Sequence, residues 1–287
     1  MDCVFWYDKL ELTMRVICIL LIALAAMLGS TATWAKTFVA GIEPSFPPWA
    51  SMDHGKVVGI APDAVRAIAK QQGFDVKFRS MSFSSLIPAL KAGKIDILVT
   101  GLTVTPERAQ QIDFTVPWWQ IKLDVMVPAD SDLTAEQALG NGHTIGVQTG
   151  TSNYDYLKNQ VAGQGKDINI KTYEQGTTAL QDLLIGRIDA QFLDDDTAQK
   201  FVADNPDKVK IAGKINPQPP QVYALGVAKG NTKLLKQLNA GEVAIYKSGQ
   251  WAKIVHQYMP NAEVSEVPGE MPAGIDSYKT PIPGLSQ

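Results

Sequence analysis

The segment Gly101–Trp119 (GLTVTPERAQQIDFTVPWW) contains the residues with the clearest capacity for chemistry. Thr105-Pro106 predicts a helix start, because Thr is a favoured N-cap and Pro suits the first helical position. Arg108 would then lie in the first turn, where a cation opposes the helix dipole by roughly 0.3–1 kcal/mol. This mismatch is explained if an anion is held between Arg108 and the exposed backbone N–H groups. Thr103 would face the crevice that holds this anion.

Two alternatives stay open from the residues alone. Arg108 has acidic neighbours in Glu107 and Asp113, so it is equally compatible with a surface ion pair. A second candidate, Asp194, begins the run Asp194-Asp195-Asp196 before a predicted helix. Acidic residues at a helix start are ordinary caps and dipole partners. The sequence pattern therefore predicts either a cap or a binding carboxylate at Asp194.

Strand and helix signals alternate along the chain, which predicts α/β units with a mostly parallel sheet covered by helices. The first set has strands at Thr37–Gly41, Asp75–Phe78 and Ile95–Leu102, with helices at Pro62–Gln72 and Ser85–Ala92. The second set has strands at Thr144–Gln148, Asn169–Tyr173 and Ile188–Leu193, with helices at Ser152–Gln160, Thr177–Ile185 and Asp194–Ala203.

One construction recurs in both sets. Residues 89–96 (ALKAGKID) and 183–189 (LLIGRID) each combine an apolar helix end, a Gly, a basic residue and Ile-Asp before a strand. Gly in such a place allows a positive φ at the helix end. The repetition predicts two similar α/β lobes.

Two segments are candidates for joining the lobes, namely the strand Leu123–Pro128 and the Pro-rich Asn216–Pro220, which precedes a strand at Gln221–Ala228. Two crossings form a hinge, and ligands favour the crevice at the carboxyl ends of such strands. The predicted division is lobe 1 at residues 36–126 plus 222–259, lobe 2 at 127–221, and an irregular Pro-rich tail at 260–287.

The N-terminus has the pattern of an export signal. Val16–Leu28 is uninterruptedly apolar, Arg15 precedes it, and Thr33-Trp34-Ala35 follows it. We expect residues 1–35 to form a signal peptide with its true start at Met14, cleaved after Ala35, so that the protein is periplasmic. The alternative is an uncleaved membrane anchor, although the apolar stretch is shorter than the ~20 residues of a membrane span.

Composition excludes several classes of protein. The 287 residues have a formal net charge of −3 and no basic run, so no nucleic-acid partner is expected. Cys3 and Cys18 both precede the predicted cleavage point, so we expect no disulfide in the exported chain. The three histidines have no metal-ligand spacing, and no nucleophile elbow or phosphate loop is present. We therefore expect neither a metal nor a cofactor.

Over about residues 36–259 the chain resembles the extracellular (periplasmic) solute-binding proteins, family 3, which serve polar amino-acid ABC importers. The order and spacing of six segments establish the resemblance. They are GIEPSFPPW (41–49), GIAPD (59–63), Phe83 with LIPAL (86–90), GLTVTPER (101–108), GVQTGT (146–151), and GRIDA (186–190) leading to Asp194.

The resemblance implies a two-lobed periplasmic-binding-protein fold and a role for each matching position. Arg108 would bind the ligand carboxylate, and Asp194 on the opposite lobe would bind its ammonium group. The other implied contacts are hydrogen bonds from Thr103, Gly101, Thr151 and Ser152, a sandwich of the ligand stem by Phe46 and Phe83, and side-chain contacts from Glu43 and Gln148.

The expected function is a non-enzymatic, monomeric receptor that binds a polar or cationic L-amino acid such as glutamine, lysine or arginine. It would deliver this ligand to a membrane ABC permease. The alternative is a cyclohexadienyl (prephenate or arogenate) dehydratase-type enzyme on the same fold, for which Glu43 or Glu174 would be the general acid. A sensor domain of a signalling receptor is a third class, and no membrane span follows the predicted lobes.

Overall fold

The computed structural model describes residues 35–140, 142–217, 219–265, 269–272 and 275. The predicted start at Met14, the signal sequence up to residue 34, and Cys3 and Cys18 lie outside the described residues. Within the described ranges, no helix has both the length and the apolar character needed to cross a membrane.

Two five-stranded sheets form the framework, in the strand orders β5-β1-β6-β15-β7 and β11-β10-β12-β9-β13. The strands of the first are β1 (Thr37–Ile42), β5 (Asp75–Ser80), β6 (Ile97–Leu98), β7 (Ile112–Phe114) and β15 (Gly226–Ala228). Those of the second are β9 (Leu123–Pro128), β10 (Thr144–Gln148), β11 (Asn169–Tyr173), β12 (Ala190–Asp194) and β13 (Val209–Ile215).

Two small sheets accompany them. One is a ribbon of β8 (Trp119–Ile121) and β14 (Gln221–Tyr223), and the other contains β2 (Ser45–Phe46), β3 (Ala50–Asp53) and β4 (Lys56–Val58).

Helices cover both large sheets. They are α1 (Ile60–Gln72), α2 (Phe83–Lys91), α3 (Pro106–Ala109), α4 (Ala135–Ala138), α5 (Ser152–Tyr156), α6 (Gly176–Leu184), α7 (Asp195–Asp204), α8 (Thr232–Lys247) and α9 (Gln250–Tyr258). A π-helix (Leu157–Val161) and a 3-10 turn (Ala162–Gln164) continue α5, so the predicted helix at 152–160 is not uniformly α.

The predicted two-lobed α/β fold is confirmed. In each large sheet three strands run parallel, as β5, β1 and β6 do in lobe 1 and β11, β10 and β12 do in lobe 2. One strand in each sheet runs opposite to the others: β15 is antiparallel to its neighbours β6 and β7, and β9 is antiparallel to β12 and β13.

The recurring Gly-basic-Ile-Asp unit has the same structure in both lobes. Gly93 and Gly186 follow the ends of α2 and α6 with φ of 65° and 70°, a conformation that favours glycine. The Asp side chain of each unit accepts a hydrogen bond from the backbone of a neighbouring strand. Asp96 accepts the Val39 N–H at 2.8 Å, and Asp189 accepts the Thr144 N–H at 2.7 Å. The unit therefore fixes each helix end against one parallel strand, β1 in lobe 1 and β10 in lobe 2.

The first crossing between the lobes was predicted between residues 126 and 127, and the structure places it earlier in the chain. The predicted position falls inside β9, which pairs along its length with β12 and β13. Residues 123–126 therefore belong to the second sheet, and the chain crosses at the β8–β14 ribbon. The predicted strand Gln221–Ala228 is divided for the same reason, since β14 joins the ribbon and β15 joins lobe 1.

The predicted strand Ile95–Leu102 is shorter than expected, because only Ile97–Leu98 pairs as β6. Residues beyond it leave the sheet and approach the ribbon: Val104 N–H donates to the Val222 carbonyl at 2.9 Å, and Thr103 bridges Tyr223. The described part of the 260–287 tail has no helix or strand, and its Met271 and Ile275 pack on lobe 1.

Glu242 on α8 is fully buried, and burial raises its pKa well above the ordinary 4.5. An acid whose pKa is raised by folding holds its proton more tightly in the folded state. It therefore lowers the free energy of unfolding increasingly as pH rises above 4.5. We predict that Glu242→Gln raises the free energy of unfolding at pH 8 by about 1 kcal/mol or more. The gain should shrink towards pH 4.5 in denaturant titrations, and the exposed Glu263→Gln should show no such trend. A gain that does not change with pH would contradict this assignment.

Candidate ligand-binding cleft

A cavity lies between the two lobes, at the carboxyl ends of their parallel strands. Lobe 1 and the crossing side contribute Phe46, Phe83, Thr100, Gly101, Thr103 and Arg108. Lobe 2 contributes Gln148, Thr151, Ser152, Asn153, Gly176, Gln191, Phe192, Leu193, Asp194 and Thr197. The structure thus brings together nine of the ten predicted site residues, and Glu43 is the one outside the lining.

Arg108 is buried, with 8% of its surface exposed, so the surface ion-pair alternative does not describe it. Thr105 caps the short helix α3 by accepting the Arg108 N–H at 3.3 Å. The guanidinium donates to the carbonyls of Thr103 at 2.7 Å and of Gly150 at 3.1 Å. Burial lowers the pKa of Arg108 to about 10, opposed by Asp155 and Asp194, so the side chain stays charged at neutral pH.

Asp194 ends β12 on the other lobe and is also buried, at 5% exposed. Its backbone has the N-cap position of α7, but its side chain makes no cap hydrogen bond. Instead the carboxylate accepts hydrogen bonds from Asn153 Nδ2 at 2.9 Å and from the Tyr223 hydroxyl. Burial raises the pKa of Asp194 to about 6, and the two hydrogen bonds oppose this rise.

These two charges are removed from water without a direct ionic partner. Among the described residues, Arg108 has no carboxylate within 4.0 Å, and Asp194 has no Lys, Arg or His within that distance. Buried charges ordinarily require such pairing. The cavity therefore offers one cationic and one anionic group, on opposite walls, to a molecule that bears both charges.

Aromatic side chains form the apolar part of the cavity. The Phe83 ring lies 5.3 Å from the Arg108 guanidinium carbon, a cation–π distance. Phe46 packs against Gly101, where an added Cβ would lie 2.5 Å from Phe46 Cε1 and 3.0 Å from Tyr223 Cζ. Only glycine at 101 permits this close approach, so Gly101 positions both rings.

Hydroxyl groups join the walls. Ser152 Oγ lies 3.1 Å from Thr103 Oγ1 and connects lobe 2 to lobe 1. Thr151 caps α5 by accepting the Tyr154 N–H at 3.2 Å, and its own hydroxyl donates to the Gln148 carbonyl at 2.8 Å. With the bond from Arg108 to Gly150, these contacts describe a closed arrangement of the lobes.

Glu43 and Gln148 are hydrogen-bonding neighbours, and only Gln148 reaches the cavity. Gln148 lines it and donates from Nε2 to the Glu174 carbonyl at 3.0 Å. Glu43 is 1% exposed behind the lining, where its carboxylate accepts from Ser45 Oγ. Burial raises the pKa of Glu43, opposed by hydrogen bonds from Ser45 and Gln148. The other candidate acid, Glu174, is exposed at the rim.

Sequence reasoning missed Tyr223 and Asn153, the two side chains that bind Asp194. Asn153 follows the predicted Thr151 and Ser152 directly, so its position in that turn was an available signal. Tyr223 gave no signal, because the chain brings it to Asp194 only through the second crossing. No group of three or more potential metal ligands occurs in the described part of the chain.

Fold and cleft together define a class, the two-lobed α/β proteins that bind a small ligand between their lobes. The profile of the bacterial extracellular solute-binding proteins, family 3, matches residues 38–261. The chain belongs to this family, which confirms the resemblance found in the sequence.

Several relatives are named for cationic amino acids. ABC transporter arginine-binding protein 1 of Escherichia coli K12 is 30% identical over 247 residues, which cover 83% of this chain and 98% of the relative. An ancestral arginine-binding protein bound to arginine superposes with a TM-score of 0.73 at 35% identity, covering 78% of this chain and 98% of that structure. The arginine-, lysine-, histidine-binding protein ArtJ from Geobacillus stearothermophilus gives 0.73 at 27% identity, covering 79% and 97%.

The Tyr223 hydroxyl stabilises the ionised form of Asp194, so its removal should raise the Asp194 pKa above the value of about 6. We predict this upward shift in Tyr223→Phe, measured by carbon-13 NMR of the Asp194 carboxyl group in protein held in the closed form without ligand. Tyr246→Phe is the matched control, because that buried hydroxyl donates instead to the Trp118 carbonyl at 2.8 Å. An unchanged or lowered Asp194 pKa in Tyr223→Phe would contradict the described network.

Proposed function

We propose that this protein binds a cationic or polar L-amino acid in the periplasm and delivers it to a membrane ABC permease. The observation that supports this most strongly is the pair of buried, oppositely charged groups, Arg108 and Asp194, which face one cavity from opposite lobes. An α-amino acid has a carboxylate and an ammonium group close together, so it satisfies both walls at once.

The ligand carboxylate would bind Arg108, whose planar guanidinium has five N–H donors, of which two already bind carbonyls. The Thr103 hydroxyl would add a neutral donor beside it, and the Ser152 and Thr151 hydroxyls would donate as well on turning away from Thr103 and the Gln148 carbonyl. The ammonium would donate to Asp194. Charge-assisted hydrogen bonds contribute about 1.5–3 kcal/mol each, and three or four of them give roughly micromolar affinity after ordering costs.

The ligand stem would lie between Phe46 and Phe83, which leads its side chain towards Gln148 and Glu43. A cationic side chain suits this end, because it would favour ionised Glu43 and offset the burial of that carboxylate. The relatives named for arginine, lysine and histidine support the same ligand class. Glutamine is the neutral alternative, since an amide can also bind Gln148 and Glu43.

Closure would follow from ligand binding, because Arg108 and Asp194 contact one molecule only when the lobes are together.

We propose a monomer that is exported by the signal segment 1–35. We propose a binding role rather than catalysis, because the relatives are named as binding proteins and one candidate general acid, Glu174, is exposed at the surface. Turnover of prephenate or arogenate by purified protein would overturn this choice.

Arg108→Ala should weaken binding of the best amino acid by more than about a hundredfold, because two charge-assisted hydrogen bonds are lost. Isothermal calorimetry would measure the affinity, and circular dichroism would check that the fold persists. Arg187→Ala is the control, since Arg187 is exposed in lobe 2 and pairs with Asp182 at 3.2 Å. Equal affinity in the Arg108 variant would refute the carboxylate contact.

Glu43→Gln should change ligand preference while preserving the α-amino acid contacts. Affinity for arginine and lysine should fall about tenfold, because the variant loses a charged partner, whereas affinity for glutamine should change less than about threefold. A thermal-shift screen of the common amino acids on both proteins would show the change in ranking. An unchanged ranking, or strong stabilisation by aspartate or glutamate alone, would exclude the proposed ligand class.

A further inference from the structure

An aromatic cluster lies beside the crossing between the lobes and outside the ligand cavity lining. It consists of Trp49, Trp118, Trp119, Tyr223 and Trp251. Trp49 packs edge-to-face on Tyr223, with ring centroids 5.1 Å apart, and on Trp119 at 5.5 Å. Trp118 and Trp251 stack at 5.5 Å. Except for the partly exposed Trp119, these side chains are buried.

One carboxyl group from lobe 2 enters this cluster. Asp196, in the first turn of α7, accepts the Trp119 indole N–H at 2.7 Å and the Trp49 indole N–H at 3.3 Å, both at Oδ2. The indole nitrogens of Trp118 and Trp251 are buried and have no hydrogen-bond partner among the described residues. Asp196 therefore satisfies the two indoles that face lobe 2.

The three partners come from different parts of the molecule. Trp49 belongs to lobe 1, between β2 and β3, and its carbonyl accepts the Ala61 N–H at 3.0 Å, which fixes it to α1. Trp119 is on the ribbon strand β8, and Asp196 is on lobe 2. Separating the lobes would break the contact between Trp49 and Asp196 and return the carboxyl group to water. In the closed form, burial raises the pKa of Asp196 to about 7, opposed by the two indoles.

We propose that Asp196 is a positioning residue that holds the lobes closed through Trp49 and Trp119 without touching the ligand. Asp196 is absent from the cavity lining, whereas Asp194, two residues earlier, lines it. A contact that forms only in the closed state and does not involve the ligand favours closure around every ligand equally. Asp196 therefore adds to the strength of binding without affecting the choice of ligand, which the residues of the cavity determine.

The affinity test rests on the proposed function. Asp196→Ala should weaken binding of every accepted amino acid by about tenfold and leave their ranking unchanged. Asp196→Asn should restore affinity to within about threefold of the natural protein, because its amide oxygen also accepts an indole N–H. Asp204→Ala is the matched control at the exposed end of the same helix, where Asp204 pairs with Lys200. A changed ranking, or equal loss in the Asn and Ala variants, would overturn the proposal.

A ligand-free test separates this proposal from the proposed function. A Cβ placed on Gly150 of lobe 2 would lie 3.5 Å from the Ser84 Cβ of lobe 1, within the range for a disulfide. Ser84→Cys with Gly150→Cys, in a chain with Cys3 and Cys18 replaced by Ser, should therefore trap the closed form on oxidation. Any strain at Gly150, whose φ is 74°, is the same in every background.

Adding Asp196→Ala should slow trapping about fivefold to tenfold, and Asp196→Asn or Asp204→Ala should leave it near the parent rate. Equal rates in the Ala and parent backgrounds would overturn the closure role, as would an Asn variant that is as slow as the Ala variant. If the natural protein binds no amino acid, the proposed function fails, and the trapping rates still decide the role of Asp196.

Discussion

Two opposite charges, held apart and out of water, are the constraint on which the cleft depends. The guanidinium of Arg108 is held by backbone carbonyls, and the carboxylate of Asp194 by an amide and a phenol hydroxyl. Neutral partners orient the charges without neutralising them. We propose that a zwitterionic ligand offsets the cost of keeping both charges buried.

The fold serves this arrangement in particular ways. The strand β6 pairs over only two residues, so residues 100–105 leave the sheet and Arg108 is able to turn inward. Gly101 admits the rings of Phe46 and Tyr223, and Tyr223 then reaches the carboxylate on the other lobe. The repeated Gly-basic-Ile-Asp unit fixes a similar sheet in each lobe, so both sets of strands end at one cavity.

Much of this was predictable from the residues because local signals determine it. Gly93 and Gly186 mark helix ends, alternating apolar segments mark the strands, and Arg108 in a first helical turn indicated an anion. The strand bounds of β9, β10 and β11 agree with the prediction residue for residue. Hydrophobic periodicity and turn chemistry act over a few residues, so a single sequence reveals them.

Contacts between distant segments were not predictable in this way. The pairing of Asp194 with Tyr223, and of Asp196 with Trp49, joins residues that are 29 and 147 positions apart. The run Asp194-Asp195-Asp196 gave no means of assigning its three carboxylates, because their roles depend on which side chains the other lobe brings to them. The predicted lobe boundary at residues 126 and 127 was wrong for a related reason. The apolar residues of β9 would suit the core of either large sheet, and only its pairing with β12 and β13 shows which sheet contains it.

We propose that the cleft recognises the carboxylate and the ammonium of one molecule together. The most direct measurement is calorimetric titration with L-arginine, with agmatine, which lacks the carboxylate, and with 5-guanidinopentanoate, which lacks the ammonium. We expect arginine to bind and each analogue to bind at least about a hundredfold more weakly. An analogue that binds as tightly as arginine would contradict it.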